Sequence, residues 1–304
     1  MAQQIAFLFP GQGSQFVGMA HDLYEHEALA RERFREANEI LGFDLAALCF
    51  NGPVEALQLT AHTQPAILVH SVIACELLSQ RGIRPAAVAG HSLGEYAALV
   101  ASECLAFADA VRLVHLRGQF MQEAVPVGVG AMAAILGLEH TQVELSCVEV
   151  IDEGVVQPAN YNCPGQIVIS GHAGAVRRAM ARCLERGALK VMELPVSAPF
   201  HSALMAPAAE RLQPELSNVT FADMQVPVIS NVEAKPFGSK VRVSKLLVDQ
   251  VTAPVRWQES VQALMPMGVE SVVEVGPGKV LSVLMRRIDR QVKVVELNVL
   301  LDAA

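Results

Sequence analysis

The sequence predicts an α/β protein in which a parallel-sheet core carries a smaller inserted α/β subdomain. Three observations support this prediction. At both ends of the chain, short apolar runs alternate with longer helical segments, which is typical of a buried parallel sheet covered by helices. The middle of the chain has two strand-like segments joined by a tight turn. In addition, 52% of the 304 residues are hydrophobic and only 18% are charged, which suits a large core.

The first elements of the core have recognisable ends. They are, in order, a strand over 5–9, helices over 26–41 and 64–81, a strand over 86–90 and a helix over 93–101. The first strand stops at Pro10-Gly11, a turn dipeptide. The helix over 64–81 is apolar nearly all round, with Thr63 ahead of it, Pro65 in its first turn and Gly82 behind it.

The middle of the chain has a different order of elements. We predict strands over 130–137, 155–162, 166–170 and 190–196, with helices over 139–150 and 173–186. The order β-α-β-β-α-β is the ferredoxin-like arrangement. We therefore assign residues 128–197 to an inserted subdomain and residues 1–127 and 198–304 to the core. The core pattern resumes with strands over 226–231, 271–275 and 292–297.

Charge, hydropathy and cysteine usage exclude several classes of protein. A net charge of −8 argues against nucleic-acid binding, which needs a surplus of Lys and Arg. No run approaches the roughly 18 apolar residues of a spanning helix, so we expect no membrane association. The first residues lack a basic segment, so no secretory signal is expected. Six dispersed cysteines without a C-x-x-C pair fit a reducing cytoplasm.

The strongest single motif is Gly90-His91-Ser92-Leu93-Gly94, a G-x-S-x-G between a predicted strand and a predicted helix. Glycines permit the sharp turn that exposes a serine hydroxyl near the unpaired N–H groups of the helix, where an oxyanion is stabilised. This context makes Ser92 a candidate nucleophile. The alternative is a capping box, because Glu95 follows Ser92 by three residues.

A serine nucleophile needs a base. Among the nine histidines, His201 is the best placed, since it follows the last strand of the inserted subdomain and a stiffening Pro199. His91 adjoins the serine and is expected to point away from the site. Arg117 lies in a mostly apolar helical stretch and has two readings: a surface arginine with a buried stem, or a guanidinium that binds a carboxylate in a cleft.

Two further glycine-rich segments are set aside. Residues 128–133 fit a loose dinucleotide fingerprint, but no strand precedes them and a strand is predicted where the helix should start. Residues 276–279 lack the spacing of a phosphate-binding loop and predict a strand-to-helix turn. No metal-ligand spacing is present in the sequence. We therefore expect neither a metal nor a cofactor.

Six motifs are spread along most of the chain: residues 9–15 (FPGQGSQ), 90–96 (GHSLGEY), 117–118 (RG), 160–166 (NYNCPGQ), 198–202 (APFHS) and 274–278 (EVGPG). Together they resemble the malonyl-CoA:acyl carrier protein transacylase family, in the family's order and spacing, from about residue 5 to residue 297. The resemblance implies an α/β-hydrolase-like core with the ferredoxin-like insertion. It also implies an [acyl-carrier-protein] S-malonyltransferase that supplies fatty-acid synthesis, with malonyl-CoA as a substrate and holo acyl carrier protein as the partner.

The resemblance further implies a role for each site residue. Ser92 attacks the malonyl thioester with His201 as general base, in a ping-pong reaction through a malonyl-serine. The backbone N–H groups of Gln12 and Leu93 form the oxyanion hole, and a main-chain carbonyl near Gln250 orients the histidine. The remaining roles are carboxylate binding by Arg117 and pocket lining by Met121, Asn162 and Phe200.

Three alternatives stay open. A discrete acyltransferase that loads a polyketide synthase would use the same chemistry. An α/β-hydrolase esterase also has G-x-S-x-G, but it would place its histidine nearer the C-terminus and would have no use for Arg117. A carrier-protein docking module would need no catalytic residues. The arginines of the predicted helix over 173–186 are candidates for carrier docking or for an ordinary solvated face: Arg177, Arg178, Arg182 and Arg186.

Overall fold

The first part of the chain alternates strands with helices, as predicted. The computed structural model describes residues 4–196 and 198–302. Up to residue 123 the elements are β1 (Ile5–Phe9), α1 (His21–His26), α2 (Ala28–Leu41), α3 (Leu45–Asn51), α4 (Val54–Leu57), α5 (Thr60–Gln80), β2 (Ala87–Gly90), α6 (Gly94–Ala101) and α7 (Phe107–Glu123). Both predicted strands of this region are confirmed.

The middle of the chain forms a four-stranded antiparallel sheet. Its elements are β3 (Gly130–Leu136), α8 (His140–Val148), β4 (Val156–Cys163), β5 (Gln166–His172), α9 (Ala173–Glu185) and β6 (Lys190–Glu193). The strand order is β4-β5-β3-β6. This confirms the ferredoxin-like arrangement, while the boundaries at 127/128 and 197/198 stay a prediction.

The last part of the chain completes the core. It contains α10 (Ala206–Ser217), β7 (Val228–Ile229), α11 (Val243–Thr252), α12 (Trp257–Gln262), β8 (Ser271–Glu274), α13 (Val280–Ile288), β9 (Lys293–Val295) and α14 (Leu297–Asp302). The core sheet is parallel throughout, with the order β7-β2-β1-β8-β9. Since β1 and β2 are neighbours, the residues that follow Phe9 and Gly90 meet at one edge of the sheet.

Helices cover both faces of the core sheet, and β1 is buried between them. Phe7 and Phe9 pack into a cluster that includes α5 and α7, while Ala6 and Leu8 pack into a second cluster that includes Trp257. Successive side chains of a strand point to opposite faces, so this division is the expected one. Among the described residues, no helix is long and apolar enough to cross a membrane.

Helix α5 begins one turn earlier than predicted. Thr63 does not cap it, because its hydroxyl donates to Leu57 O at 2.6 Å from inside the helix. Pro65 therefore lies within α5 and provides no N–H for Ala61 O. That carbonyl instead accepts a hydrogen bond from His115 Nδ1 of α7 at 2.8 Å. The neighbouring helix thus supplies the bond that proline removes.

Candidate active site

Ser92 lies at the sharp turn between β2 and α6, in the left-handed region with φ of 52°. The flanking glycines are required by close backbone approach. A Cβ on Gly90 would lie 1.9 Å from the carbonyl of Gly94, and a Cβ on Gly94 would lie 2.0 Å from Phe9 O. The G-x-S-x-G pattern is therefore a packing requirement of this turn, which lifts the serine above the carboxyl edge of the sheet.

We expect Gly94→Ala to destabilise the protein by about 3 kcal/mol or more, because the added methyl group displaces the backbone of a central strand. Gly174→Ala is the matched control. A Cβ at this exposed position of α9 meets no described heavy atom within 4 Å, and alanine favours the helix by up to about 1 kcal/mol. Denaturant unfolding of both variants checks this, and equal effects would contradict it.

Ser92 and His201 are in direct contact. Ser92 Oγ lies 2.8 Å from His201 Nε2, and His201 Nδ1 lies 2.9 Å from Gln250 O. A carbonyl only accepts, so Nδ1 carries the proton and Nε2 accepts from the serine hydroxyl. The capping-box alternative is wrong: α6 begins at Gly94 without a side-chain cap, because the Ser92 hydroxyl is turned towards the histidine.

His201 is held by the inserted sheet as well as by the core. Its backbone has a positive φ of 56°. The side-chain amide of Gln157, in β4, donates to His201 O at 3.4 Å and to Thr252 O at 3.3 Å. The same amide accepts from Ala203 N at 3.1 Å. One side chain of the small sheet therefore fixes the segment that carries the imidazole.

The imidazole of His201 is neutral at ordinary pH. Burial, together with the nearby charge of Arg117, lowers its pKa to about 3. Protonation would remove the lone pair of Nε2, so His201 loses its ability to accept a proton only near pH 3. We expect kcat/KM for thioester cleavage to stay level as the pH falls through 6.5. A loss of activity with a midpoint between pH 6 and 7 would contradict this assignment.

Arg117 is a buried cation beside the nucleophile. It is 1% exposed, so its reading as a surface arginine is wrong. Its Nη1 donates to Gln64 Oε1 at 3.0 Å, and its Nη2 donates to Gln250 Oε1 at 2.9 Å and to Ser92 Oγ at 3.0 Å. No ion pair with Arg117 occurs among the described residues, and its Nε has no partner there. Burial lowers its pKa. Such a guanidinium is suited to an incoming carboxylate.

A cavity brings most of the expected site residues together. Its lining includes Gln12, Ser92, Leu93, Arg117, Met121, Phe200 and His201. Asn162 was expected in this lining, but Asn160 of the same strand occupies it. Asn162 instead contacts a lining residue, with its Oδ1 3.0 Å from His91 Nε2. His91 also contributes to the lining, and its ring packs against Trp257 with the two ring centroids 5.5 Å apart; its expected orientation away from Ser92 stays a prediction.

The sequence did not indicate the observed roles of three buried polar residues around Ser92. They are Gln64, which contacts Arg117, and Asn231 and Glu95, which lie beneath the turn. Burial raises the pKa of Glu95 to about 8, against the opposing effects of its hydrogen bonds. A signal for Asn231 existed, since it is a polar residue only two positions after the buried strand β7. Gln64 lies in a helix that is apolar nearly all round, and nothing local marks it.

The fold and the site define the class. A strained serine between strand and helix, bonded to a neutral imidazole beside a buried guanidinium, is the apparatus of an enzyme that transfers acyl groups through serine. Residues 6–301 match the acyl transferase domain.

Sequence and structural similarity to known proteins identifies the family more closely. The chain is 50% identical over 286 residues to the malonyl CoA-acyl carrier protein transacylase of Escherichia coli (strain K12), covering 94% of this chain and 93% of that protein. The solved malonyl CoA-acyl carrier protein transacylase from Coxiella burnetii has a TM-score of 0.96 at 42% identity, with 99% of this chain and 96% of that chain covered. A malonyl-transacylase solved in complex with its type II PKS acyl-carrier protein gives the same TM-score and identity, with 99% and 100% covered. The chain belongs to the malonyl CoA-acyl carrier protein transacylase family.

Proposed function

We propose that this enzyme transfers the malonyl group of malonyl-CoA to the phosphopantetheine thiol of holo acyl carrier protein. The observation that carries the proposal is the buried guanidinium of Arg117, 3.0 Å from the hydroxyl of Ser92. A thioester whose carbonyl lies at Ser92 places the free malonyl carboxylate within reach of this cation. A plain esterase substrate has no group that requires it.

The reaction has two acyl transfers. In the first, Ser92 Oγ bonds to the thioester carbonyl carbon while its proton passes to His201 Nε2. The C–S bond then breaks, and the leaving sulfur takes this proton to form free CoA. In the second, His201 Nε2 removes the proton of the carrier thiol and the sulfur bonds to the carbonyl carbon of the malonyl-serine. The C–O bond to Ser92 then breaks, and Ser92 Oγ takes the proton back from His201 Nε2. The carbonyl of Gln250 keeps the imidazole in the required tautomer throughout.

The backbone N–H groups of Gln12 and Leu93 are the proposed oxyanion donors. Gln12 follows β1 and Leu93 follows Ser92, so both residues lie at the carboxyl edge of neighbouring strands and line the cavity. Within residues 4–196 and 198–302, no hydrogen bond uses either N–H. Each therefore remains able to donate to the negative oxygen of the tetrahedral intermediate.

Substrate selection follows from the cavity lining. An acetyl group would leave the guanidinium of Arg117 buried and unpaired, which costs several kcal/mol, on the order of 2–4. Phe200 and Met121 line the cavity with apolar surface that limits branched acyl groups. Asn162 contributes to the pocket indirectly, because its hydrogen bond holds the lining residue His91. The chemistry uses protein groups and needs no cofactor or metal.

We propose fatty-acid synthesis in the cytoplasm as the setting. Six free cysteine thiols support a reducing compartment. The second candidate is loading of a polyketide carrier protein in trans, which the solved complex with a type II PKS acyl-carrier protein favours. Both uses share the same acyl-serine chemistry, so they differ only in the carrier.

Intact-protein mass spectrometry tests the function. Brief mixing with malonyl-CoA is expected to give a malonyl adduct that transfers to holo acyl carrier protein, whereas acetyl-CoA gives little adduct. Fatty-acid and polyketide carriers compared as acceptors distinguish the two settings. Hydrolysis of simple esters without an adduct would overturn the proposal in favour of an esterase. The absence of both would leave a carrier-docking module.

A further inference from the structure

Asn231 connects the two peptide groups that bracket the catalytic turn. Its Oδ1 accepts from Ser92 N at 2.7 Å, and its Nδ2 donates to Gly90 O at 2.7 Å. The orientation of the amide is fixed by its partners, because a backbone N–H only donates and a carbonyl only accepts. Asn231 is fully buried and follows β7, the neighbour of β2 in the parallel sheet. Asn231 therefore supports the carboxyl end of β2 from the neighbouring strand β7.

The turn needs such a brace. Ser92 has a positive φ, which residues with a side chain rarely adopt unless their surroundings enforce it. Ser92 N precedes the first turn of α6, and without Asn231 this partly buried N–H and the buried Gly90 O would each lose their hydrogen bond to its side chain. A change of the backbone angle at Ser92 would move Oγ away from His201 Nε2.

The same asparagine joins the remaining machinery through two buried side chains. Its backbone N donates to Glu95 Oε1 at 3.3 Å. The amide nitrogen of Gln250 donates to the other Glu95 oxygen and, at 3.0 Å, to Ser92 O. Gln250 also accepts a hydrogen bond from Arg117 Nη2 through its side-chain oxygen and one from His201 Nδ1 through its main-chain carbonyl. Nucleophile, base and guanidinium thus share one hydrogen-bonded support.

We propose that Asn231 is a positioning residue for the acyl transfer, which holds Ser92 in its strained conformation so that Oγ faces His201 Nε2. This inference rests on the proposed function. It requires both halves of the amide, since Oδ1 satisfies Ser92 and Nδ2 satisfies Gly90. Asn231 itself touches neither the substrate nor the reacting atoms.

Three variants test the proposal. Asn231→Ala removes both bonds, Asn231→Asp keeps the size and the acceptor but loses the donor, and Ser230→Ala is the matched control. Ser230 is adjacent and fully buried, and its hydroxyl has no partner among the described residues. Each folded variant is measured in two ways: the rate of Ser92 phosphonylation by a fluorophosphonate, and the single-turnover rate and KM for malonyl-CoA.

We expect Asn231→Ala to slow both reactions about 10- to 100-fold, with KM within threefold of the parent and Ser230→Ala within twofold in every measurement. Asn231→Asp is expected to regain rate as the pH falls, because a protonated carboxyl donates to Gly90 O again. The titratable and charged groups that face this position are Glu95 directly and Arg117 and His201 through Gln250 and Ser92.

Two results would overturn the proposal: phosphonylation of Asn231→Ala within threefold of the parent, or equal losses in Asn231→Ala and Ser230→Ala. If Asn231→Ala does not fold, the pH dependence of Asn231→Asp decides, and a profile parallel to that of the parent counts against the proposal. Phosphonylation involves no malonyl group. A parent protein that reacts with the fluorophosphonate but forms no malonyl adduct would therefore refute the proposed function while leaving Asn231 testable.

Discussion

Replacing Ser92 with alanine is expected to abolish the malonyl adduct and to lower kcat by roughly four orders of magnitude or more. Ser92 Oγ is the atom that His201 Nε2 and Arg117 Nη2 both contact, so its removal leaves the base without a proton to take and the acyl group without an acceptor. Mass spectrometry after mixing with malonyl-CoA, followed by assay of malonyl transfer to the carrier protein, measures both effects.

Ser102→Ala is the control for this experiment. Ser102 caps the other end of α6, is fully buried and donates to Leu99 O at 2.9 Å. Its loss removes a serine hydroxyl from the same structural unit without touching the cavity, so kcat is expected to stay within twofold. A Ser92→Ala protein that still acquired a malonyl group would remove Ser92 from the mechanism.

Replacing Arg117 with alanine is expected to reduce kcat/KM for malonyl-CoA by about 100- to 1000-fold, which is about 3–4 kcal/mol of lost transition-state stabilisation. The buried malonyl carboxylate would lose its bidentate partner. Acetyl-CoA has no carboxylate, so its rate is expected to fall much less or to rise. The malonyl-to-acetyl ratio is the quantity to measure, because it cancels any general damage to the nearby Ser92.

Arg112→Ala provides the matched control. Arg112 lies on the same helix α7, but it is partly exposed and pairs with Glu215 at the surface at 2.6 Å. Its loss is expected to leave the malonyl-to-acetyl ratio unchanged. Arg117→Lys keeps the positive charge without the two-pronged guanidinium, and an intermediate ratio is expected. If Arg117→Ala had the same malonyl-to-acetyl ratio as the parent protein, Arg117 would not be the group that binds the malonyl carboxylate.

The local signals of the sequence were sufficient for the strand, turn and helix around Ser92. Backbone geometry within a few residues dictates glycine at positions 90 and 94, so the pattern is visible in the sequence. Arg117 is different. Its burial depends on α5 and α11 packing around α7, and the stretch around it reads the same whether the guanidinium points outwards or inwards.

Long-range partners were the part that local patterns could not supply. Asn231 lies 139 residues from the backbone group that it binds, and no periodicity connects the two. The start of α5 was misplaced for a related reason, because His115 from another helix compensates for Pro65. Tertiary contacts decide such positions, and they follow only from the assembled sheet.

The arginines of α9 illustrate how context changes a charge pattern. All four pair with glutamates, through Arg177–Glu193, Arg178–Glu153, Arg182–Glu185 and Arg186–Glu149. A row of basic residues that suggested carrier docking is therefore locally neutralised. The structure favours the alternative, a solvated face crossed by surface ion pairs, each of which contributes little to stability.

The hydrogen bonds of Gln157 to the segment that carries His201 make the position of the catalytic base depend on how the two sheets pack together. The nucleophile belongs to the core, whereas its base is pinned in part by β4 of the inserted sheet. A molecule that separated the two sheets would displace the His201 imidazole from Ser92 Oγ without entering the cavity. An inhibitor could therefore act at the interface between the two sheets as well as by occupying the cavity.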